Sequence, residues 1–287
     1  MRIGLLIDPI DPHLTYGENI RKAADLGFQV VQLWFRDMLA ESGGRPQEIV
    51  GLLEKLNMEL KSLAAYTDIL DPHREWEDIF KELRSAIDFA AQSHIRYVVT
   101  ESGGVPGKLT EWEEMIVRFS RLVDYAASCG VVVLVENGPG VMVNNLELMK
   151  MMMDEIDSPH LGINFDPANL VLVPDEVVRA VHELKSFIMD THAKDAILLP
   201  KGSKRAVPAE HVFRVPEGEE FIHIPKGMRW VLPPVGEGDV PFPAYVDALR
   251  RVGFNGDLII EFQGGGNREE AVCRSREYLE KVLRRGA

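Results

Sequence analysis

Four side chains of metal-binding type each follow a short, largely apolar run: Glu136 after 131–135, Asp166 after 161–165, His192 after 187–191 and Glu261 after 258–260. Carboxylates brought together in a poorly hydrated site repel one another strongly. A divalent cation removes that penalty, and a neutral imidazole completes its shell. Oxygen donors with one nitrogen suit Mn²⁺, Mg²⁺, Co²⁺ or Zn²⁺ rather than a thiolate-loving metal, and Mn²⁺ is the expected ion. Taken singly, these residues say little. Asp166-Pro167 is also a turn pair, and a lone histidine is more often structural than a ligand. The argument for one shared metal site rests on all of them ending successive runs.

Those runs belong to a longer alternation. Apolar segments at 3–7, 30–34, 60–66, 96–100, 131–135, 161–165, 186–190 and 258–260 are interleaved with helical spacing. The helical stretches are 18–26, 47–56, 76–93, 111–128, 146–153, 176–184, 245–251 and 269–283. The run Val131-Val132-Val133-Leu134-Val135 has no polar alternation, as expected of a strand buried on both faces. Strands alternating with helices imply parallel βαβ units. Eight units predict a closed (β/α)8, or TIM, barrel, whose active face is formed by the carboxyl ends of its strands. Glu136, Asp166, His192 and Glu261 would then ring one opening from the fifth to the eighth strand. The rival fold is an open doubly wound sheet. No Gly-x-Gly-x-x-Gly follows the first strand, which weakens a dinucleotide reading.

The 287 residues suit one barrel domain over 1–287, and 46% hydrophobic residues supply an ordinary core. A net charge of −13 disfavours contact with nucleic acid. Cys129 and Cys273 are far apart and provide neither a disulfide framework nor a zinc knuckle. The run 3–7 is short for a signal peptide, and no apolar stretch is long enough to span a membrane. A cytoplasmic protein without membrane contact is the expectation.

One long connection, 196–240, interrupts the pattern after the seventh strand. Such connections are usually functional or mobile. Within it, 221–224 and 228–232 flank Pro225-Lys226-Gly227 and predict a β-hairpin, placed to act as a lid over the site. Lys201, Lys204, Arg205, Lys226 and Arg229 concentrate positive charge there, for an anionic substrate group or for solvent. Candidates to line the mouth are Trp34, Tyr66, Glu101 and His13, which end or follow earlier strands. Asn169 and Lys194, close behind Asp166 and His192, are candidate substrate-binding residues; Asn169 could equally cap a turn. Asp195 either supports the site or caps the insertion.

The motifs Val-Glu-Asn (135–137), Asn-Phe-Asp-Pro-Ala-Asn (164–169), His-Ala-Lys-Asp (192–195) and Ile-Glu-Phe (260–262) resemble the sugar phosphate isomerase/epimerase family, the xylose isomerase-like barrels. Val235-Gly236-Glu237-Gly238-Asp239-Val240 and Gly253-Phe254-Asn255-Gly256 add to the likeness. The resemblance implies that Glu136, Asp166, His192 and Glu261 hold one divalent metal. It also implies that Glu136 and Glu261 are catalytic, moving protons on opposite faces of a small carbohydrate hydroxyketone. An isomerase or epimerase follows. A keto-polyol dehydratase and a non-catalytic sugar-binding barrel are the alternatives, and self-association is common among such barrels. The sequence departs from the family's ketose epimerases at three positions. Asn169 replaces a histidine, Leu198 an arginine and Met142 a glutamate. Their ketose substrate does not carry over.

Overall fold

The computed structural model describes residues 1–172, 177–213 and 227–285. Its strands, in chain order, are β1 (Ile3–Leu6), β2 (Val30–Trp34), β3 (Glu59–Ala64), β4 (Tyr97–Glu101), β5 (Val132–Glu136), β6 (Leu161–Phe165), β7 (Ile188–Ala193), β8 (Ile197–Pro200), β9 (Met228–Val231) and β10 (Leu258–Ile260). All but β8 and β9 are parallel and close into a barrel, in the order β1-β10-β7-β6-β5-β4-β3-β2. The helices are α1 (Tyr16–Asp25), α2 (Phe35–Glu41), α3 (Gln47–Lys55), α4 (Trp76–Gln92), α5 (Trp112–Ser128), α6 (Leu146–Ile156), α7 (Val177–Glu183), α8 (Phe242–Arg251) and α9 (Arg268–Arg284). Side-chain caps mark several starts: Thr15 and Glu18 form a capping box on α1, and Asn145 and Asn267 cap α6 and α9. No described helix is long and apolar enough to cross a membrane.

Strand periodicity decides which side chains meet. Leu5, Val31, Leu33, Leu63, Val133 and Ile163 join the large core shared with the helices. Their neighbours of opposite parity form two small clusters inside the barrel, Leu6-Val30-Ala64-Ile259 and Val99-Val132-Leu134. Two residues further along the same stripes stand Gln32, Glu136 and Glu261. The barrel's apolar filling therefore gives way to polar groups toward the carboxyl ends of its strands. Two register shifts interrupt the ladder, between Val31 and Gln32 on β2–β3 and between Ile163 and Asn164 on β6–β7. The unmatched residues are Lys61 and Met189.

The structure changes one expectation, leaves one outside the described residues and adds one helix. His192 lies within β7, which runs on to Ala193, rather than beyond its end. The expected strand at 228–232 is present as Met228–Val231 and pairs antiparallel with Ile197–Pro200; its expected hairpin partner at 221–224 lies outside the described residues. Helix α2 begins immediately at the end of β2, with no cap or breaker to announce it.

Asp195 closes the base of the 196–240 connection. Its carboxylate accepts from the backbone N–H groups of Ala196 (2.9 Å), Gly236 (2.8 Å), Gly238 (2.9 Å) and Val240 (3.1 Å). A Cβ on Gly238 would stand 2.0 Å from Asp195 Oδ1, so only glycine admits this approach. Of the two roles open to Asp195, the structure gives it the cap. We expect Asp195→Ala to cost about 2–3 kcal/mol by stranding these donors, which is roughly 4–10 °C in Tm. Calorimetry checks this; an unchanged Tm would remove the clip from the account of stability.

Candidate metal centre

Glu136 ends β5, Asp166 follows β6, His192 lies in β7 and Glu261 follows β10. All four are buried, and one ligand atom from each lies within 4.8 Å of the others. His192 Nδ1 faces the carboxylates, at 3.0 Å from Glu261 Oε2, 3.4 Å from Glu136 Oε2 and 3.9 Å from Asp166 Oδ2. The other ring nitrogen, Nε2, lies 2.9 Å from Gln32 Oε1.

Polar neighbours hold each carboxylate in place. Glu136 accepts from the Tyr66 hydroxyl, from Asn164 Nδ2 (3.1 Å) and from Asn169 Nδ2 (3.2 Å). Glu261 accepts from Gln263 Nε2 at 2.7 Å and from Lys194 Nζ at 2.8 Å. Lys194 Nζ also pairs with Asp166 Oδ2 at 2.6 Å. Asp166 serves two purposes: Oδ1 accepts from Ala168 N at 2.8 Å in the turn made by Pro167, leaving Oδ2 to the cluster. Asn137 grips the Asp166 backbone from both sides, at 2.8 and 2.9 Å.

The electrostatics follow from burial working against charge pairing. Burial pushes the Asp166 carboxyl up, and despite Lys194 it reaches about 7. Burial would also raise Glu136 and Glu261. The His192 ring outweighs it at Glu136, and Lys194 with His192 at Glu261, so both sit below the usual range. Burial would lower His192, but Glu136 and Glu261 raise it well above an ordinary histidine. Lys194 is raised in the same way by Asp166 and Glu261.

The donor set fits a divalent ion. A doubly charged cation and the Lys194 ammonium together balance the carboxylates of Glu136, Asp166 and Glu261 once His192 is neutral. Ligand atoms opposite one another across an ion at about 2.1 Å stand roughly 4.2 Å apart, so the cluster needs little contraction.

A cavity of about 440 Å³ opens above these residues, lined by Trp34, Tyr66, Glu101, Glu136, Asn169, Lys194 and Glu261. All were singled out in the sequence. His13 is exposed after β1, and the structure does not bring it to this cavity. The lining also includes Arg36, Phe213, Trp230 and Gln263, which the sequence reading missed. Gln263 had a weak signal, a polar residue two positions past Glu261 in the sequence. Trp230 lay in the strand expected at 228–232, over the site, but was not singled out; Phe213 had no signal, because its part of the connection lacks periodicity. Trp34 is held by its indole N–H donating to Asp8 Oδ1 at 3.0 Å. None of Lys201, Lys204, Arg205 and Arg229 lines the cavity, and Arg205 pairs with Asp239 at 2.7 Å; Lys226 lies outside the described residues. At two positions of departure from the ketose epimerases the side chains pack: Leu198 opposes Trp230 across β8–β9, and Met142 lies against Gly104.

The chain belongs to the xylose isomerase-like TIM barrel family, whose sequence model matches residues 20–282. Among its relatives is an uncharacterised Bacillus subtilis protein, YfiH, 25% identical over 99% of both chains. The probable 3-DHS dehydratase AsbF of Bacillus anthracis has a similar structure, with a TM-score of 0.75 at 18% identity, covering 98% of this chain and 99% of that one. The zinc-bound IolI protein superposes with a TM-score of 0.76 at 15% identity over 99% of both chains. Others of this fold are sugar epimerases, such as the 3-keto-D-glucoside 4-epimerase YcjR of E. coli (TM-score 0.72, 16% identity, 99% of both chains).

An ion can bind His192 only after its ring loses the proton that the surrounding carboxylates stabilise. We therefore expect metal loading at neutral pH to release at least about one proton per ion, with Asp166 contributing a further fraction. Affinity should climb as pH rises through neutral, because the raised histidine pKa resists deprotonation below it. Titration calorimetry with Mn²⁺ in two buffers of different ionisation enthalpy measures this; tight binding with no proton release would contradict it.

Proposed function

We propose that this protein is a divalent-metal-dependent isomerase or epimerase of a small sugar, sugar phosphate or related hydroxyketone. The observation that carries the reading is the matched setting of Glu136 and Glu261. Each turns Oε2 toward the cluster, and each has Oε1 held by a side-chain amide, from Asn169 and Gln263 respectively. Both line the same cavity.

The bound ion, held by Glu136, Asp166, His192 and Glu261, would supply Lewis acidity to a carbonyl and its neighbouring hydroxyl. The protein's own groups do the rest. One glutamate takes the proton from the carbon beside the carbonyl, and the other returns a proton to the opposite face or to the adjacent carbon. The first outcome is epimerisation, the second isomerisation. Lys194 donates to a substrate oxygen from its place between Asp166 and Glu261, and Asn169 binds a hydroxyl. Trp34, Tyr66, Phe213 and Trp230 wall the cavity with aromatic surface that excludes water, the last two supplied by the described flanks of the 196–240 connection.

One observation favours a second reading, that of a keto-polyol dehydratase. The Bacillus anthracis 3-dehydroshikimate dehydratase is 20% identical over 83% of this chain, and in that reading Lys194, which lines the cavity, would stabilise a departing hydroxyl by hydrogen bonding.

Incubating ketoses and inososes with the Mn²⁺ protein in D₂O separates the readings. Deuterium uptake at the carbon beside the carbonyl without water loss supports the isomerase class; water loss supports the dehydratase. Glu136→Gln and Glu261→Gln should each lower turnover by about 10²–10⁴-fold. Exchange with no candidate, or full turnover in both variants, would overturn the proposal.

A further inference from the structure

Beneath the metal cluster a chain of hydrogen bonds crosses the barrel. His192 Nε2 meets Gln32 Oε1 at 2.9 Å, Gln32 Nε2 meets Ser62 Oγ at 2.8 Å, and Ser62 Oγ meets Asp190 Oδ2 at 3.0 Å. All four side chains are fully buried. The chain draws on β2, β3 and β7 and joins residues as far apart as 160 positions.

Its direction is dictated from the far end. A carboxylate only accepts hydrogen bonds, so Ser62 must donate its single proton to Asp190. Ser62 Oγ then accepts, and the group offering a proton to it must be the Gln32 amide nitrogen. That turns the Gln32 carbonyl toward His192, where it accepts from Nε2–H. Once the ring is neutral, the remaining nitrogen, Nδ1, has the lone pair, and it faces Glu136, Asp166 and Glu261. Asn164 Nδ2 does not compete for either nitrogen. It lies 3.4 and 3.2 Å from the two, and a position so nearly equidistant is possible only over the ring face, since in the ring plane it would collide with Cε1.

A second observation points the same way. The barrel's two register shifts fall immediately before the Gln32–Ser62 pair and before the pair formed by Asn164 and Asp190. Bulges re-aim side chains beside functional sites. Here they set Ser62 opposite Gln32 and Asp190 opposite Asn164.

We propose that Gln32, Ser62 and Asp190 are positioning residues that select the Nε2–H tautomer of His192 and so present Nδ1 to the metal. This rests on the metal-dependent reading above and deepens it. In a buried site the wrong tautomer would point a proton at the ion and abolish one ligand. Partners of a ligating histidine typically contribute 10–100-fold in metal affinity.

The test has two parts, neither of which depends on turnover. In Zn²⁺-loaded protein labelled with ¹⁵N-histidine, the His192 resonances should show metal on Nδ1 and a proton on Nε2. Calorimetric titration with Mn²⁺ should give Gln32→Met an affinity roughly 10–100-fold below wild type. Gln32→Glu, which keeps an acceptor for Nε2–H but needs a carboxyl proton to satisfy Ser62 Oγ, should bind more tightly than Gln32→Met. Circular dichroism establishes that both variants are folded. Metal bound through Nε2, or unchanged affinity in folded Gln32→Met, would overturn this inference alone. A wild-type protein that binds no divalent ion would overturn it together with the metal-dependent reading.

Discussion

Mutual repulsion among buried carboxylates is the constraint on which this site depends. Glu136, Asp166 and Glu261 are almost wholly removed from water, where unbalanced charge is costly. Lys194 supplies one compensating cation permanently, because it is covalently part of β7's continuation and nearly buried itself. The second would be exchangeable: a proton on His192 or, on the proposed function, a metal ion in the same place. On that reading the site alternates between two positive charges, and protonation and metal binding are linked.

Much of this arrangement was legible in the sequence. The alternation of apolar runs and helical spacing predicted the barrel, and the four ligating residue types stood at recognisable positions along it. What the sequence did not disclose depended on partners remote along the chain. A glutamine at position 32 inside an apolar strand is a conspicuous polar interruption, yet nothing local says that it meets a histidine on β7. Asn164 and Asn137 lie inside motifs that were noticed, but their partners become visible only when β5 and β6 are side by side. The extent of β7 was misjudged because Asp190, Thr191 and His192 break its apolar character, which is the price of lining a polar interior. His13 illustrates the opposite error: a residue after a strand is close to the mouth in sequence order, but a loop can carry it outward.

The residues of the acidic cluster and the residues that wall the rest of the cavity come from separate parts of the chain. The former occupy strands and their immediate ends. The latter include Phe213 and Trp230 from the connection after β7, and Trp34 and Arg36 at the junction of β2 and α2. At Leu198 and Met142 side chains pack where the ketose epimerases carry charged ones, so a shared fold does not transfer a shared substrate.

Asp195 also separates the rigid from the variable. By gathering the first and last backbone amides of the long connection onto one carboxylate, it makes the two ends of that excursion neighbours whatever lies between them. The barrel thereby offers a socket. A longer, shorter or differently composed segment could be exchanged there during evolution or by design without moving β7 or the buried cluster that β7 helps to form.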